Sequence, residues 1–160
     1  MRRKSTPLPI KDGLNPTRIR IQGAPPSGIR AVDAVAEVIF SQRHRHPDDN
    51  WEAIYQRFRD HEVVRHNGAP LSPDELLPEN CEVFFYKTPA PEAEIPYQLT
   101  IIHRDDDLLV VHKPTFMATM PRARHIVQTA TMQLRRRTGI PEISPAHRLD
   151  RLTSGLVVFT

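Results

Sequence analysis

The segment TPAPEAEIP, residues 88–96, is the feature that most constrains how this chain folds. Its proline content interrupts regular structure, and such segments are typical of boundaries between folding units. A length of 160 residues suits one ordinary domain or two small ones. We therefore predict two units, over residues 29–95 and 96–160.

The unit before this boundary is predicted to be a small α/β domain. Residues 1–28 contain five prolines and little hydrophobic periodicity, so we predict a flexible tail there. Asp49 and Glu52 resemble a capping box, and Asn67-Gly68 is a hairpin signal. The predicted elements are a helix, a second helix, a hairpin and a strand, over residues 29–42, 49–61, 62–71 and 81–87.

The unit after the boundary combines short apolar runs with one long amphipathic stretch. Two runs rich in β-branched residues are separated by three aspartates, which predicts two strands. The helix that follows ends in three arginines, where cations suit the helix dipole, and Gly139 terminates it. The predicted elements are two strands, a helix and a final strand, over residues 97–105, 107–114, 124–139 and 155–160.

Composition limits the possible classes of protein. Hydrophobic residues make up 39% of the chain, enough for a core, and no apolar run reaches membrane-spanning length. The basic N-terminus lacks the apolar core of a signal peptide. Cys81 is the single cysteine and has no partners for a disulfide or a zinc site. We expect a cytoplasmic protein that associates with no membrane and has no metal centre.

The charge is distributed unevenly along the chain. Residues 1–95 contain 13 Lys or Arg and 14 Asp or Glu, whereas residues 114–160 contain seven arginines and two acids. A basic excess of this kind favours binding to a polyanion. An ordinary solvated surface explains the same charge equally well, so charge alone leaves both interpretations open.

The densest group of functional side chains lies in the segment HRLDRLTSG, residues 147–155. Asp150 stands close to Arg148 and Arg151, and cations so close favour its ionised form. A purely structural Asp–Arg ion pair is the alternative. Ser154 lacks the preceding glycine of a nucleophile elbow, and no cysteine or further histidine completes a metal site with His44 and His46.

This segment strongly resembles the signature of the RluA-like pseudouridine synthases, H-R-L-D-x-x-T-S-G followed by an apolar strand. Upstream, IIHRDDDLLVVHKP (101–114) is similar to the entry strands of that family. The resemblance covers roughly residues 96–160. Two departures concern the shape of one loop: His112 stands where Asn is more common, and TFMATMP (115–121) replaces a loop that commonly carries a glycine and a His-Pro pair.

The resemblance implies conversion of uridine to pseudouridine in structured RNA, rRNA or tRNA, without a cofactor and with no DNA substrate. It assigns catalysis to Asp150, as a nucleophile toward the sugar or the base or as the group that abstracts a sugar proton. It implies that Arg148 fills the gap left by a flipped base. Candidates for phosphate contacts are Arg151, Arg122, Arg124, Arg135, Arg136 and Arg137, and candidates for shaping the loop are His147, Thr153, Ser154 and Gly155.

The resemblance also implies a fold. Many enzymes of this family carry an S4-like RNA-binding domain, and residues 29–95 resemble its helices, hairpin and closing strand in order. We therefore expect an α+β protein, with an S4-like unit followed by the first part of a mixed, mainly antiparallel sheet. A non-enzymatic RNA-binding or regulatory module built on the S4-like half is the competing hypothesis.

In that family the signature comes early in the catalytic domain. The remaining strands lie downstream, with a tyrosine that packs on the target base and a basic residue that pairs with the aspartate. Since this sequence ends at Thr160, we expect an N-terminal fragment that is inactive alone. An incomplete sheet would expose an unpaired edge, which favours association with a partner.

Overall fold

The computed structural model describes residues 6–160 and divides the chain into two compact units, Met1–Ala90 and Pro91–Thr160. The division falls inside the proline-rich segment 88–96. Both units combine helices with antiparallel strands, so the protein is of the mixed α and β class. No helix within the described residues is long and apolar enough to cross a membrane.

The first unit packs two helices on a small antiparallel sheet of order β1-β5-β3, with β2 and β4 paired separately. Apolar residues of α1 and α2 form one core with residues of the strands, and Val35, Ile54 and Phe85 are fully buried in it. The elements are β1 (Thr17–Arg20), β2 (Ile29–Arg30), α1 (Ala31–Phe40), α2 (Trp51–Arg59), β3 (Val63–Arg65), β4 (Leu76–Leu77) and β5 (Glu82–Phe85).

The structure departs from the tail predicted for residues 1–28. Within the described part, Thr17–Arg20 form β1 and pair in antiparallel register with β5, Ile19 lying opposite Val83. Leu8 is buried with Val64 and Phe84. The strand escaped prediction because one isoleucine between two arginines gives almost no alternating pattern, and its pairing partner lies more than 60 residues along the chain.

The starts of both helices also differ from prediction. Ile29–Arg30 pair with β4, so α1 begins at Ala31. Asn50 rather than Asp49 caps α2, because its side chain accepts a hydrogen bond from Ala53 N–H at 3.1 Å. Asp49 is instead fully buried, and its Oδ1 lies 2.7 Å from Arg57 Nη2.

The second unit packs α3 on one antiparallel sheet of order β6-β7-β8. The buried residues alternate along β7 and β8, with Val111, Val157 and Phe159 facing Leu134 and Met117 in one core. The elements are β6 (Thr100–Arg104), β7 (Leu109–Lys113), α3 (Ala130–Thr138) and β8 (Gly155–Phe159).

Helix α3 begins six residues later than predicted. Thr129 caps it by accepting from Met132 N–H at 3.3 Å, and the three peptide N–H groups of 126–128 donate to the Glu92 carboxylate at 2.6–3.0 Å. A carboxylate from 34 residues upstream thus takes the donors that would open a longer helix. Gly139 ends the helix in the left-handed conformation, φ 70°, which confirms the predicted terminator.

The two edges of the second sheet differ. Residues 144–146 bond to the outer side of β8, through Ser144 with Thr160 and Ala146 N–H with Val158 O. Within the described residues, the outer edge of β6 pairs with no strand, and a bulge interrupts its register with β7 at Ile101–His103. A bulge bends the strand and increases its local twist.

Candidate active site around Asp150

The signature segment 147–155 forms the loop that leads into β8. Asp150 C=O accepts from Thr153 N–H at 3.0 Å, which closes a tight turn beyond the aspartate. Gly155 then adopts φ 149°, and a Cβ placed there would lie 3.3 Å from Leu149 Cδ1. A glycine is therefore required where the loop enters the strand. Ser154 is exposed.

His147 connects the start of the loop to β8. Its Nε2 accepts a hydrogen bond from Val158 N–H at 3.2 Å. A neutral imidazole that accepts through Nε2 carries its proton on Nδ1, so this contact fixes the tautomer. The histidine and the aspartate are thus anchored on either side of Arg148.

Thr119 fixes the peptide groups next to Asp150, although it is 30 residues away in the chain. Its hydroxyl donates to Leu149 C=O at 2.8 Å and accepts from Leu149 N–H at 3.1 Å. The side chain is buried, and its own C=O accepts from both Thr131 Oγ1 and Thr131 N–H, at 2.7 and 3.1 Å. The first turn of α3 therefore supports Thr119, and Thr119 supports the loop.

A groove of about 420 Å³ opens between the signature loop and the segment after β7. Three arginines and one histidine line it, while Asp150 is the one acidic residue of the lining. Such a surface attracts a polyanion. The lining residues are Ala118, Thr119, Met120, Pro121, Arg122, Ala123, His125, Arg148, Leu149, Asp150 and Arg151.

The Asp150 side chain is exposed in this groove. Within the described residues it forms neither a hydrogen bond nor an ion pair, and none links it to Arg148 or Arg151. The structure thus does not contain the ion pair that was the alternative interpretation of this motif. A carboxylate without a protein partner is available to a ligand.

Lys113 places a buried ammonium group behind this carboxylate. Its Nζ donates to Pro114 C=O at 3.0 Å and to Met117 C=O at 2.7 Å. Burial lowers the pKa of Lys113, and attraction to the Asp150 charge counteracts part of that lowering. The lysine fixes the turn after β7, and its charge attracts that of Asp150.

The candidate arginines outside the signature segment differ in whether they line the groove. Arg122 lines it, within a turn closed by two hydrogen bonds between its backbone and that of His125. Arg135 Nε donates to Ile143 C=O at 3.3 Å and Arg137 Nη1 to Leu99 C=O at 2.7 Å, so both tie α3 to its surroundings. The arginines that lie outside the lining are Arg124, Arg135, Arg136 and Arg137.

Three residues of the site were not singled out from the sequence: Lys113, Thr119 and His125. The Lys-Pro pair at the end of β7 was the one available signal, since a lysine that closes an apolar run must enter or leave the core. No local sequence pattern marks Thr119 or His125, because the fold brings them to the groove from outside the signature segment. Within the described residues, no cluster of three or more His, Cys, Asp or Glu could hold a metal ion.

Residues 107–160 match the family model described as RNA pseudouridylate synthase. An uncharacterised RNA pseudouridine synthase of Synechocystis is 28% identical over 119 residues, 74% of this chain and 40% of that protein. The dual-specificity RNA pseudouridine synthase RluA of Haemophilus influenzae is 40% identical over 65 residues, 40% of this chain and 28% of that protein.

The mitochondrial tRNA pseudouridine(32) synthase of Saccharomyces cerevisiae is 37% identical over 59 residues, 37% of this chain and 13% of that protein. The chain thus spans less than half the length of each of these relatives. The matched region of the family model contains β7, α3, β8 and the whole signature loop.

Proposed function

We propose, on the premise that residues 107–160 belong to the RNA pseudouridylate synthase family, that this protein converts uridine to pseudouridine in RNA. One observation carries the proposal: the side chain of the signature carboxylate, Asp150, forms no hydrogen bond or ion pair with any described residue and stands in a groove otherwise lined by basic and neutral residues. A structural aspartate would be paired. A carboxylate left free among cations is suited to a substrate.

The reaction needs a carboxylate and no oxidant. The bond between C1′ of the ribose and N1 of uracil breaks, and a bond between C1′ and C5 forms after the base turns. The C5 proton is lost and N1 gains a proton, so atoms and charge balance. Asp150 stabilises cationic character at the sugar or attacks the substrate covalently.

The arginines of the groove are proposed to hold and open the RNA. A base within a helix must be flipped out, at a cost of about a few kcal/mol. Arg148, beside the aspartate, is proposed to fill the gap, because a guanidinium stacks on bases and also binds phosphate. Arg122 and Arg151 are proposed phosphate contacts, which their places in the lining support. We do not extend this role to Arg124, Arg135, Arg136 and Arg137.

The remaining signature residues are proposed to aim Asp150. The bond from Val158 N–H to His147 and the turn between Asp150 and Thr153 support this assignment. The left-handed backbone of Gly155 supports it as well. Ser154 is included through the motif alone.

The first unit is proposed to be S4-like and to help bind RNA. The order of α1, α2, a tight turn whose backbone bonds link 63–65 to 69–71, and the later strand β5 supports this. RNA binding by this unit without catalysis is the competing function, although residues 1–95 carry no excess of basic residues. We further propose rRNA or tRNA as the substrate, the cytoplasm as the location, and association through the free edge of β6.

The test is pseudouridine formation in RNA tritiated at C5 of uridine, because isomerisation releases that hydrogen. It is run with the 160-residue chain and with a chimera in which residues 91–160 replace the corresponding segment of the longer Synechocystis protein. Release of tritium by the chimera supports the proposal. RNA binding by both proteins without any release would favour the RNA-binding module.

A further inference from the structure

Two aromatic rings of the second unit stack on each other at the surface, next to the signature loop. The ring centroids of Tyr97 and Phe116 are 6.2 Å apart, with an angle of 12° between the ring planes. The two residues are 48% and 44% exposed, respectively. Packing within the unit therefore leaves a large part of both rings in water.

The backbone at Phe116 is held in an unfavourable conformation. Its φ of 65° lies in the left-handed region, which a bulky side chain rarely adopts and a glycine adopts freely. Strain of this kind persists where the surrounding structure enforces it, and it concentrates at functional sites. A phenylalanine thus stands at a position where glycine would adopt the same backbone conformation without strain.

The surroundings fix this ring relative to Asp150. Thr115 Oγ1 donates to Leu152 C=O at 2.9 Å, which ties the neighbouring residue to the turn beyond the aspartate. Arg151 from the same turn places its Cζ 5.8 Å from the centroid of the Phe116 ring. A cation at this distance from an aromatic face is attracted to it. The two rings and one guanidinium therefore form a single exposed surface beside the groove.

We propose that Tyr97 and Phe116 are a stacking platform for an unpaired base of the RNA, in a nucleotide next to the target. Arg151 binds the phosphate of that neighbouring nucleotide. The inference rests on the proposed function, because it takes RNA as the ligand. Aromatic rings stack on any of the four bases, so the platform selects for single-stranded RNA rather than for sequence. Paired bases within a helix offer no face to it.

The first test measures the affinity of the 160-residue chain for a short single-stranded RNA and for the same RNA with abasic riboses, by fluorescence anisotropy. Phe116→Leu keeps an apolar side chain but removes the ring, and we expect affinity for the intact RNA to fall about tenfold. The salt dependence should not change, since no charge is removed. Ile140→Ala, which trims a similarly exposed apolar residue of the second unit that lies outside the groove lining, is the control and should bind as wild type does.

Phe116→Gly separates binding from folding. Glycine suits the left-handed backbone, so this variant should unfold at a temperature close to that of wild type and bind RNA as weakly as Phe116→Leu does. Wild-type affinity in both variants would overturn the platform. An equal loss of affinity for the abasic RNA would overturn it too, as would a wild-type chain that binds neither RNA.

The same proteins distinguish this inference from the proposed function. If Phe116→Leu loses affinity for intact RNA while wild type and chimera release no tritium, the platform stands and the isomerase proposal fails. If tritium is released and the Phe116 variants bind normally, the isomerase proposal stands and the platform fails.

Discussion

The two units bury different kinds of polar side chain. In the first unit the buried polar residues are Asp49 and Arg57, which pair with each other and both bond to Thr88. In the second unit they are one lysine and three threonines, and they bond mainly to backbone groups. The buried polar residues of the second unit are Lys113, Thr119, Thr129 and Thr131.

This difference shows what each set of bonds does. The Asp49–Arg57 pair and its bonds to Thr88 connect residues within the first unit, so their contribution is to the stability of that fold. In the second unit the Thr131 hydroxyl bonds to the Thr119 C=O, and the Thr119 hydroxyl bonds to the N–H and C=O of Leu149, next to Asp150. Because neutral hydroxyls do this work, the charged residues of the signature remain available to a ligand.

The largest effect is expected from breaking the ion pair of the first unit. Arg57→Met leaves the Asp49 carboxylate buried without a countercharge, which should lower the free energy of unfolding by about 3–5 kcal/mol. Urea denaturation measures this change, with hydrogen exchange at Ile54 reporting on the first unit. The double variant Asp49→Asn with Arg57→Met removes both charges and should lose less. A single variant as stable as wild type would show that the pair does not stabilise this unit.

A smaller effect is expected from Thr119 in the second unit. Thr119→Val keeps the shape but leaves Leu149 N–H and C=O without their partner, which should destabilise the loop by about 1–3 kcal/mol. The Leu149 amide should then exchange faster, whereas Thr119→Ser should restore its protection. Thr138→Val is the control, because it also removes a threonine hydroxyl that donates to a backbone carbonyl, that of Leu134 within α3, and leaves both bonds to Leu149 in place. Unchanged exchange at Leu149 in Thr119→Val would contradict the support assigned to this hydroxyl.

The smallest effect is expected from an exposed polar cluster between β6 and β7. Hydrogen bonds from His103 and from the N–H groups of Leu108 and Asp107 lower the pKa of Asp105 from 3.8 to about 2. Since the folded state favours the ionised carboxyl, its stabilisation is present above pH 3.8 and is lost as the pH falls through about 2. Amide exchange at Leu108 should therefore rise in acid. Asp105→Asn should abolish this pH dependence, whereas the control Asp106→Asn should retain it. An unchanged dependence of Leu108 exchange on pH in Asp105→Asn would show that Asp105 is not its cause.

Local patterns in the sequence predicted the elements whose causes are local. The spacing of apolar residues gave α2, the three aspartates separated β6 from β7, and Gly139 marked the end of α3. The start of α3 could not be predicted, because a carboxylate from residue 92 determines it. Asn50 rather than Asp49 caps α2 for a similar reason. The Asp49 carboxylate pairs with Arg57 and accepts from Thr88 N–H, and neither contact can be read from the local sequence.

The candidate site divides in the same way. The motif named Asp150 and its flanking arginines, since these residues lie within one short segment. The motif does not include Thr119, Lys113 or His125, which lie in other parts of the sequence. The sequence also did not distinguish Arg122, which lines the groove, from Arg135 and Arg137, which bond to carbonyls beside α3.

The central claim is that the Asp150 carboxylate, which no described residue engages in a hydrogen bond or ion pair, acts on uridine. The direct measurement compares wild type with Asp150→Asn, in the 160-residue chain and in the chimera, for RNA affinity and for release of tritium from C5. The substitution is nearly isosteric and removes only the charge, so RNA affinity should be retained or slightly increased in the basic groove. In whichever of the two proteins releases tritium with Asp150 present, the Asp150→Asn variant should release none. Substantial release by Asp150→Asn would contradict the catalytic assignment, and lost affinity with unchanged release per bound RNA would reduce Asp150 to a binding residue.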